Sequence, residues 1–109
     1  MASRTLPGLG LKGDWDLGET GWKDDHDLNL LKMSVLLGGQ ALDLVSADPG
    51  SPSEGDIYLL DETHATHPNK IAVYDEAAWV YFAVPVGVIV WDVAAAIHRT
   101  FNGTVWAAL

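Results

Sequence analysis

The chain has 109 residues, the usual size of a single domain, with a formal net charge of -9 and no cysteine. Hydrophobic residues make up 49% of it and charged residues 19%, which is the composition of a folding chain and not of a disordered one. The lack of cysteine excludes disulfides, thiolate metal sites and cysteine nucleophiles, and the negative charge disfavours binding to nucleic acid.

The first residues contain no apolar stretch of the kind that a secretory signal needs. The longest apolar run, Val84 to Ile97, is interrupted by Pro85, Gly87 and Asp92. It is also shorter than the roughly 18 to 20 residues that span a bilayer. We therefore expect a protein without a membrane segment that is synthesised in the cytoplasm.

Leu6 to Trp22 forms a glycine-rich arm that also carries large apolar side chains, among them Trp15 and Leu17. Free linkers seldom contain tryptophan, since burying one indole removes about 200 Å² of surface from water. We expect an ordered arm that packs on a neighbouring subunit, with Trp15, Leu17 and Trp22 as its anchors.

Asp24 to Leu37 has the spacing of a helix. One apolar stripe consists of Leu28, Leu31 and Val35, and a neighbouring stripe consists of Leu30, Met33 and Leu37. Asp24 or Asp25 can cap the first turn, and Gly38-Gly39 can end the helix. The two stripes leave two interpretations open. The helix contacts both its own sheet and a partner chain, or it packs one broad face on its own core.

Turn-forming residues at 48–56 separate residues 1–46, the arm and assembly helix, from residues 47–109, a β-rich domain. The predicted strands are Ile57 to Leu60, Ile71 to Tyr74, Trp79 to Phe82, Val86 to Trp91, Ile97 to Phe101 and Thr104 to Ala107. We expect an α+β fold, mainly β, in which an extended arm and one helix precede a small antiparallel domain of hairpins.

Two hairpin turns are predicted from composition. Asp75 to Ala78 suits a four-residue loop, while Asn102-Gly103 is typical of a two-residue type I′ turn, which needs positive φ at both central positions. Tyr74 and Trp79 bracket the first turn as Phe101 and Trp106 bracket the second. Each hairpin should therefore carry a cross-strand aromatic pair.

Three motifs with possible chemistry are better explained without it. Gly8 to Gly13 matches the dinucleotide motif G-x-G-x-x-G, but the strand that this motif must follow is missing. His64 and His67 lack a third metal ligand, so a solvated loop is the simpler interpretation. His26 and His98 have no nucleophile at triad spacing.

A small hydrolase remains an alternative only if dispersed carboxylates meet in space, as they do in glycosidases. The candidates are Asp16, Glu19, Asp56 and Asp92. Surface solvation explains them more simply. We therefore expect no enzyme activity, no catalytic residue, no cofactor and no metal.

The five tryptophans allow another alternative, a carbohydrate-binding module that recognises host surface glycans. Trp79 and Trp106 occupy equivalent hairpin positions, which indicates core packing. Trp15 and Trp22 would be the exposed pair in such a module, although they can equally be anchors in a protein interface.

The order of these features resembles a known domain family. The resemblance is carried by residues 49–58, by Ile71 to Tyr74 before Trp79, by the Pro85 to Gly87 turn, and by Phe101-Asn102-Gly103 before Trp106. This uncharacterised family occurs in tail fibres, head spikes and related virion proteins of phages, prophages and gene transfer agents. Residues 10–22 and the helix after them resemble the segment that often precedes the domain.

The resemblance implies a structural protein of the virion, used for attachment or decoration on a fibre, tail or head, and brings no catalytic residues. Longer members continue into distal domains that could contact a receptor, whereas this chain stops three residues past Trp106. The implied partners are other virion proteins and further copies of the chain, as a small ring or trimer. The expected interface consists of Trp15, Leu17, Trp22, Leu30, Met33 and Leu37.

Overall fold

The computed structural model describes residues 4–18 and 20–109. The first three residues, which belong to the segment considered for a signal, and Glu19, one of the candidate carboxylates, lie outside the described residues. The described residues form one helix and ten strands, which confirms the predicted α+β, mainly β class. They divide into an N-terminal unit, Met1–Gly38, and a C-terminal unit, Gly39–Leu109. In neither part does the described chain contain a helix with the length and apolarity needed to cross a membrane.

The N-terminal unit contains a short hairpin and the helix. Strand β1 (Arg4–Thr5) pairs antiparallel with β2 (Lys12–Gly13), and helix α1 (Trp22–Gly38) follows. The helix begins two residues before the predicted start. Asp24 and Asp25 therefore lie inside the first turn and not at the cap, where their charges still favour the positive end of the helix dipole. Gly39 has a φ of 74°, as expected of the glycine that ends a helix.

The buried side chain of Asn29 joins the hairpin to the helix. The Asn29 Oδ1 atom accepts a hydrogen bond from the Lys12 amide at 2.9 Å, and Nδ2 donates to the Lys12 carbonyl at 2.8 Å. Gly13 is also buried, and a Cβ atom there would lie 2.9 Å from Leu6 Cδ1. This part of the arm is therefore ordered against the helix of its own unit.

The C-terminal unit contains the remaining eight strands of the described chain. These are β3 (Gln40–Ala41), β4 (Leu44–Val45), β5 (Ile57–Leu60), β6 (Ile71–Asp75), β7 (Ala78–Phe82), β8 (Ile89–Asp92), β9 (Ile97–Phe101) and β10 (Trp106–Ala108). All six predicted strands are present, although β8 starts at Ile89 and β10 starts at Trp106, later than predicted. Strands β3 and β4 were not predicted, because two residues are too few to show a periodicity.

The strands form two four-stranded sheets, in the orders β4-β5-β6-β7 and β10-β9-β8-β3. Most pairs are antiparallel, but β3 pairs with β8 and β4 pairs with β5 in parallel. The first sheet supplies most of the buried apolar residues, namely Leu59, Leu60, Ile71, Ala72, Val73 and Phe82. The second sheet contributes Ala41, Val90 and Trp106.

The turn between β6 and β7 is shorter than predicted. Asp75 pairs with Ala78, so the four-residue loop was wrong and only Glu76 and Ala77 form the turn. Their φ angles are 52° and 60°, the positive values that a type I′ turn requires. The Glu54 carboxylate accepts from the amides of both residues, at 2.8 and 3.4 Å, and so stabilises a turn that neither residue favours.

The turn between β9 and β10 is longer than predicted. Phe101 pairs with Trp106, so Asn102-Gly103 lies in a four-residue loop, and the two-residue turn was wrong. The Asn102 Oδ1 atom accepts from the amides of Thr104 and Val105, each at 2.9 Å. An asparagine that binds its own backbone in this way stabilises the wider loop.

Both predicted aromatic pairs are nevertheless confirmed. Ring centroids lie 5.2 Å apart for Tyr74 and Trp79, and 5.6 Å apart for Phe101 and Trp106. Each pair lies across the two strands directly beside its turn, where the ring contact stabilises the register of the hairpin.

Glu54→Gln should lower the midpoint of thermal unfolding near pH 7. The two turn amides hold the pKa of the Glu54 carboxyl below its ordinary value. A lowered pKa stabilises the fold above the unfolded value, and this contribution disappears as the pH falls through the folded value. The difference between variant and wild type should therefore shrink toward about pH 3. Glu62→Gln, at an exposed position, is the control and should leave the midpoint unchanged. A difference of equal size at both pH values would contradict the role of the charge.

Candidate functional site

The first candidate site is the predicted interface, here named the assembly surface. It consists of Trp15, Leu17, Trp22, Leu30, Met33 and Leu37, all in the N-terminal unit. Four of its members are strongly exposed for apolar residues: Leu17 at 105%, Leu37 at 86%, Leu30 at 49% and Trp22 at 48%. Trp15 and Met33 are half-buried. Trp15 and Leu17 lie in the segment between β2 and α1.

The helical members of the assembly surface share one side of α1. At about 100° per residue, Trp22, Leu30, Met33 and Leu37 fall within an arc of about 80°. His26 lies in the same arc, and its ring contacts Trp22 edge-on at a centroid distance of 5.9 Å. His26 belongs to neither of the two stripes predicted from the sequence. The spacing that it completes, four, three and four residues from His26 to Leu37, is that of a and d positions in a coiled coil.

The other predicted stripe of the helix behaves differently. Val35 is buried, and Leu28 and Leu31 are half-buried. Leu30 and Leu37, by contrast, are exposed, so the two stripes of the helix are unequally buried. The contact of the second stripe with a partner chain remains a prediction.

A second candidate site surrounds His64 in the C-terminal unit. The His64 side chain is only 5% exposed, so the predicted solvated loop was wrong for this residue. Nδ1 accepts from the amides of His67 and Thr66, at 3.0 and 3.3 Å. The proton of the neutral ring is therefore on Nε2, which donates to Asp48 Oδ1 at 2.9 Å.

Asp48 connects His64 to Tyr81, whose hydroxyl donates to the second carboxylate oxygen. Burial raises the pKa of Asp48, but hydrogen bonds from Tyr81 and His64 outweigh it and hold that pKa below its ordinary value. Burial and the Asp48 carboxylate raise the pKa of Tyr81 to about 12. The His67 ring stacks on Tyr81 with centroids 3.7 Å apart.

We name Asp48, His64, His67 and Tyr81 the His64 cluster. Both ring nitrogens of His64 have partners, so the ring has no free nitrogen for a substrate proton or for a metal. Across residues 4–18 and 20–109, no group of three or more histidine, cysteine, aspartate or glutamate side chains is arranged to hold a metal ion. The cluster could not be predicted from the sequence, because Asp48 lies 16 residues before His64.

The other residues considered for chemistry have structural contacts. Asp92 is fully buried and pairs with Arg99, and Asp56 accepts a hydrogen bond from the Ser53 amide. His98 contacts Trp91 edge-on at 4.7 Å. Gly8 and Gly10 lie in the connection between β1 and β2, so the segment is a hairpin and not the strand-to-helix turn of a dinucleotide site.

A cleft of about 80 Å³ opens in the C-terminal unit. Ligand pockets usually enclose about 300 to 1,000 Å³, so this cleft suits only a very small molecule. It is lined by Gln40, Ala41, Leu42, Gly55, Asp56 and Ile57.

Comparison with known proteins identifies the family. Residues 26–107, most of the chain, match the family described as Protein of unknown function (DUF2793). The chain belongs to this family. The DUF2793 match includes most of α1 and nearly the whole C-terminal unit. Leu30, Met33, Leu37 and the His64 cluster lie inside it, whereas Trp15, Leu17 and Trp22 precede it. No curated protein and no solved structure matches the chain.

Proposed function

We propose that this DUF2793 protein is a non-catalytic structural subunit of a phage particle, which assembles with copies of itself through the assembly surface. The observation that carries the proposal is the exposed apolar stripe of α1, together with Leu17 in the arm. The resemblance to domains of tail fibres and head spikes supports the setting, as an attachment or decoration component of a fibre, tail or head. After synthesis in the host cytoplasm the subunit would join the particle beside other virion proteins.

Burial of the exposed apolar residues of the assembly surface in a subunit contact is energetically favourable. Complete burial of one leucine side chain stabilises a structure by about 1.5 to 3 kcal/mol. Burying Leu17, Leu30 and Leu37 in a subunit contact therefore supplies several kcal/mol in favour of assembly. The net charge of -9 on each subunit opposes this gain, so association should strengthen as salt screens the repulsion. Closed symmetry, as in a ring or trimer, buries every copy of the stripe.

The double substitution Leu30→Glu/Leu37→Glu should convert the oligomer to a monomer. Two carboxylates in the stripe would have to be desolvated in the contact, which costs more than the apolar burial supplies. Light scattering and sedimentation measure the mass of the species. The matched control is Val93→Glu/Leu109→Glu, which adds the same charge at exposed apolar positions of the C-terminal unit and should leave the mass unchanged.

A wild-type chain that is monomeric at high protein and salt concentration would overturn the assembly proposal, as would an unchanged mass for the helix variant. The setting is tested separately by mass spectrometry of purified particles from a phage or prophage that encodes the chain. We expect a fixed copy number per particle that survives density-gradient purification. Loss of the chain from purified particles would contradict the virion role.

A further inference from the structure

The loop between β9 and β10 contains an asparagine followed by a glycine, and Asn102, Gly103 and Thr104 are all exposed to solvent. Asparagine belongs to the thermolabile residues, because its side-chain amide can be lost by deamidation. A following glycine favours this reaction, since it has no side chain to hinder the approach of its backbone nitrogen. The other two asparagines of the chain, Asn29 and Asn69, are followed by a leucine and a lysine. Asn102 is therefore the asparagine whose sequence most favours deamidation.

The Asn102 side chain is folded back over the Gly103 peptide unit. Its Oδ1 atom accepts hydrogen bonds from the amides of Thr104 and Val105, each at 2.9 Å. The bond to Thr104 closes a ring that contains Cγ, Cβ, Cα and the carbonyl carbon of Asn102, followed by the Gly103 nitrogen. These are the atoms of a succinimide, which needs only one further bond, from the Gly103 nitrogen to Cγ. The loop thus keeps the two reacting groups in a bent arrangement and not in an extended one.

The same two hydrogen bonds prepare the side-chain carbonyl for attack. Negative charge develops on Oδ1 when Cγ becomes tetrahedral, and two amide donors directed at this oxygen stabilise that charge, as an oxyanion hole does. Within residues 4–18 and 20–109, no group accepts a hydrogen bond from the Gly103 amide or from Asn102 Nδ2. The attacking nitrogen and the departing amine are therefore both accessible to water, which exchanges protons with them.

We propose that Asn102 is a site of spontaneous deamidation, and that the folded loop promotes the reaction. The Gly103 nitrogen gives its proton to water and forms a bond to Cγ. The bond between Cγ and Nδ2 breaks, and Nδ2 takes up a proton and leaves as ammonia. Water then adds to one carbonyl of the succinimide and breaks the bond between that carbonyl and the ring nitrogen. Cleavage at Cγ gives aspartate, and cleavage at the main-chain carbonyl gives isoaspartate.

The two products have different consequences for the hairpin. Aspartate keeps an oxygen in the place of Oδ1, so it can accept from the same two amides with the added strength of a charge. Isoaspartate adds a main-chain carbon between Phe101 and Trp106, which lie opposite each other and whose ring centroids are 5.6 Å apart. It also displaces Thr104, whose carbonyl accepts from Asn69 Nδ2 at 2.9 Å. Isoaspartate should therefore loosen the hairpin, whereas aspartate leaves it closed.

The experiment incubates the intact chain at neutral pH and follows every asparagine by peptide mass spectrometry. Position 102 should acquire the mass of a deamidated residue, while Asn29 and Asn69 stay unchanged. The same chain unfolded in guanidinium chloride at the same pH is the comparison, because it keeps the Asn-Gly pair and lacks the loop. Conversion at position 102 should be severalfold faster in the folded chain. The gain is smaller than in a buried oxyanion hole, since water competes with both donors.

Thr104→Pro removes one of the two amides that bond to Oδ1 and keeps the Asn-Gly pair. It should slow conversion in the folded chain toward the rate of the unfolded chain. Thr104→Ala keeps the amide and is the matched control, which should convert like the wild type. Circular dichroism and thermal unfolding establish that both variants are folded.

If Thr104→Pro does not fold, the wild-type chain still provides the test through its folded and unfolded rates. A folded chain that converts no faster than the unfolded one would overturn the proposal and would show that the loop protects its asparagine. Equal rates for folded Thr104→Pro and Thr104→Ala would also overturn it, because the amide donors would then have no part in the reaction.

Discussion

Asp92→Ala is expected to lower the free energy of unfolding by about 3 kcal/mol. Asp92 is fully buried at the end of β8, and its carboxylate accepts from Arg99 Nε at 2.7 Å and from the Ala95 amide at 3.2 Å. The Arg99 side chain is only 19% exposed. Removing the carboxylate therefore leaves a poorly hydrated positive charge and an amide without a partner, and such losses are larger than the net strength of the ion pair itself.

Urea denaturation measures this change, with the exposed Glu62→Ala as a control that removes the same charge. The control should change stability by less than about 0.5 kcal/mol. A double variant, Asp92→Ala/Arg99→Met, should recover part of the loss, because the uncompensated charge is then gone. If the single variant unfolds at the same urea concentration as Glu62→Ala, the ion pair does not hold β8 against β9.

His64→Ala is expected to cost a similar amount, about 3 kcal/mol, through hydrogen bonds and not through charge. The buried ring accepts from two backbone amides and donates to Asp48, so its removal deletes three hydrogen bonds and leaves a cavity where the imidazole was. His67→Ala is the comparison, since it removes the stacked neighbour on Tyr81 and should cost about 1 kcal/mol.

Urea denaturation measures the free energy of unfolding of both histidine variants. Restoration of wild-type stability in His64→Asn would show that the amide acceptor alone is sufficient. Equal losses for His64→Ala and His67→Ala would contradict the hydrogen-bond explanation, because only His64 bonds to the loop backbone through its ring.

The helix and the longer strands were predictable because their apolar residues repeat with the period of the element. The two hairpin turns were not. Glu76 and Ala77 are poor residues for positive φ, and the carboxylate that stabilises them comes from Glu54, 22 residues earlier. The Asn102 side chain favoured a wider loop than its Asn-Gly sequence indicated. In both turns a side-chain contact outweighed the local backbone preference.

The candidate sites also differ in how far the sequence predicts them. The stripe on α1 follows from helical spacing alone, so Leu30, Met33 and Leu37 could be selected without coordinates, and only His26 was missed. The contact between the rings of Tyr58 and Trp79 depends on the register of β5, β6 and β7, and a shift of one residue would move Tyr58 to the other side of the sheet. Nothing in the loop at 61–70 indicates that register. For the same reason, the contact between His64 and Asp48 could not be predicted from the sequence.

The two shortest strands of the C-terminal unit, β3 and β4, are separated by only two residues, yet they extend different sheets. Strand β4 pairs with β5, the next strand along the chain. Strand β3 pairs with β8, which is synthesised much later, so this pairing cannot form until β8 is present. On the ribosome the β4-β5-β6-β7 sheet can therefore form first, since its pairings join neighbours in the chain. Residues 40–41 then remain an open edge until the last third of the polypeptide emerges, and during that interval this edge is the most vulnerable to pairing with another nascent chain.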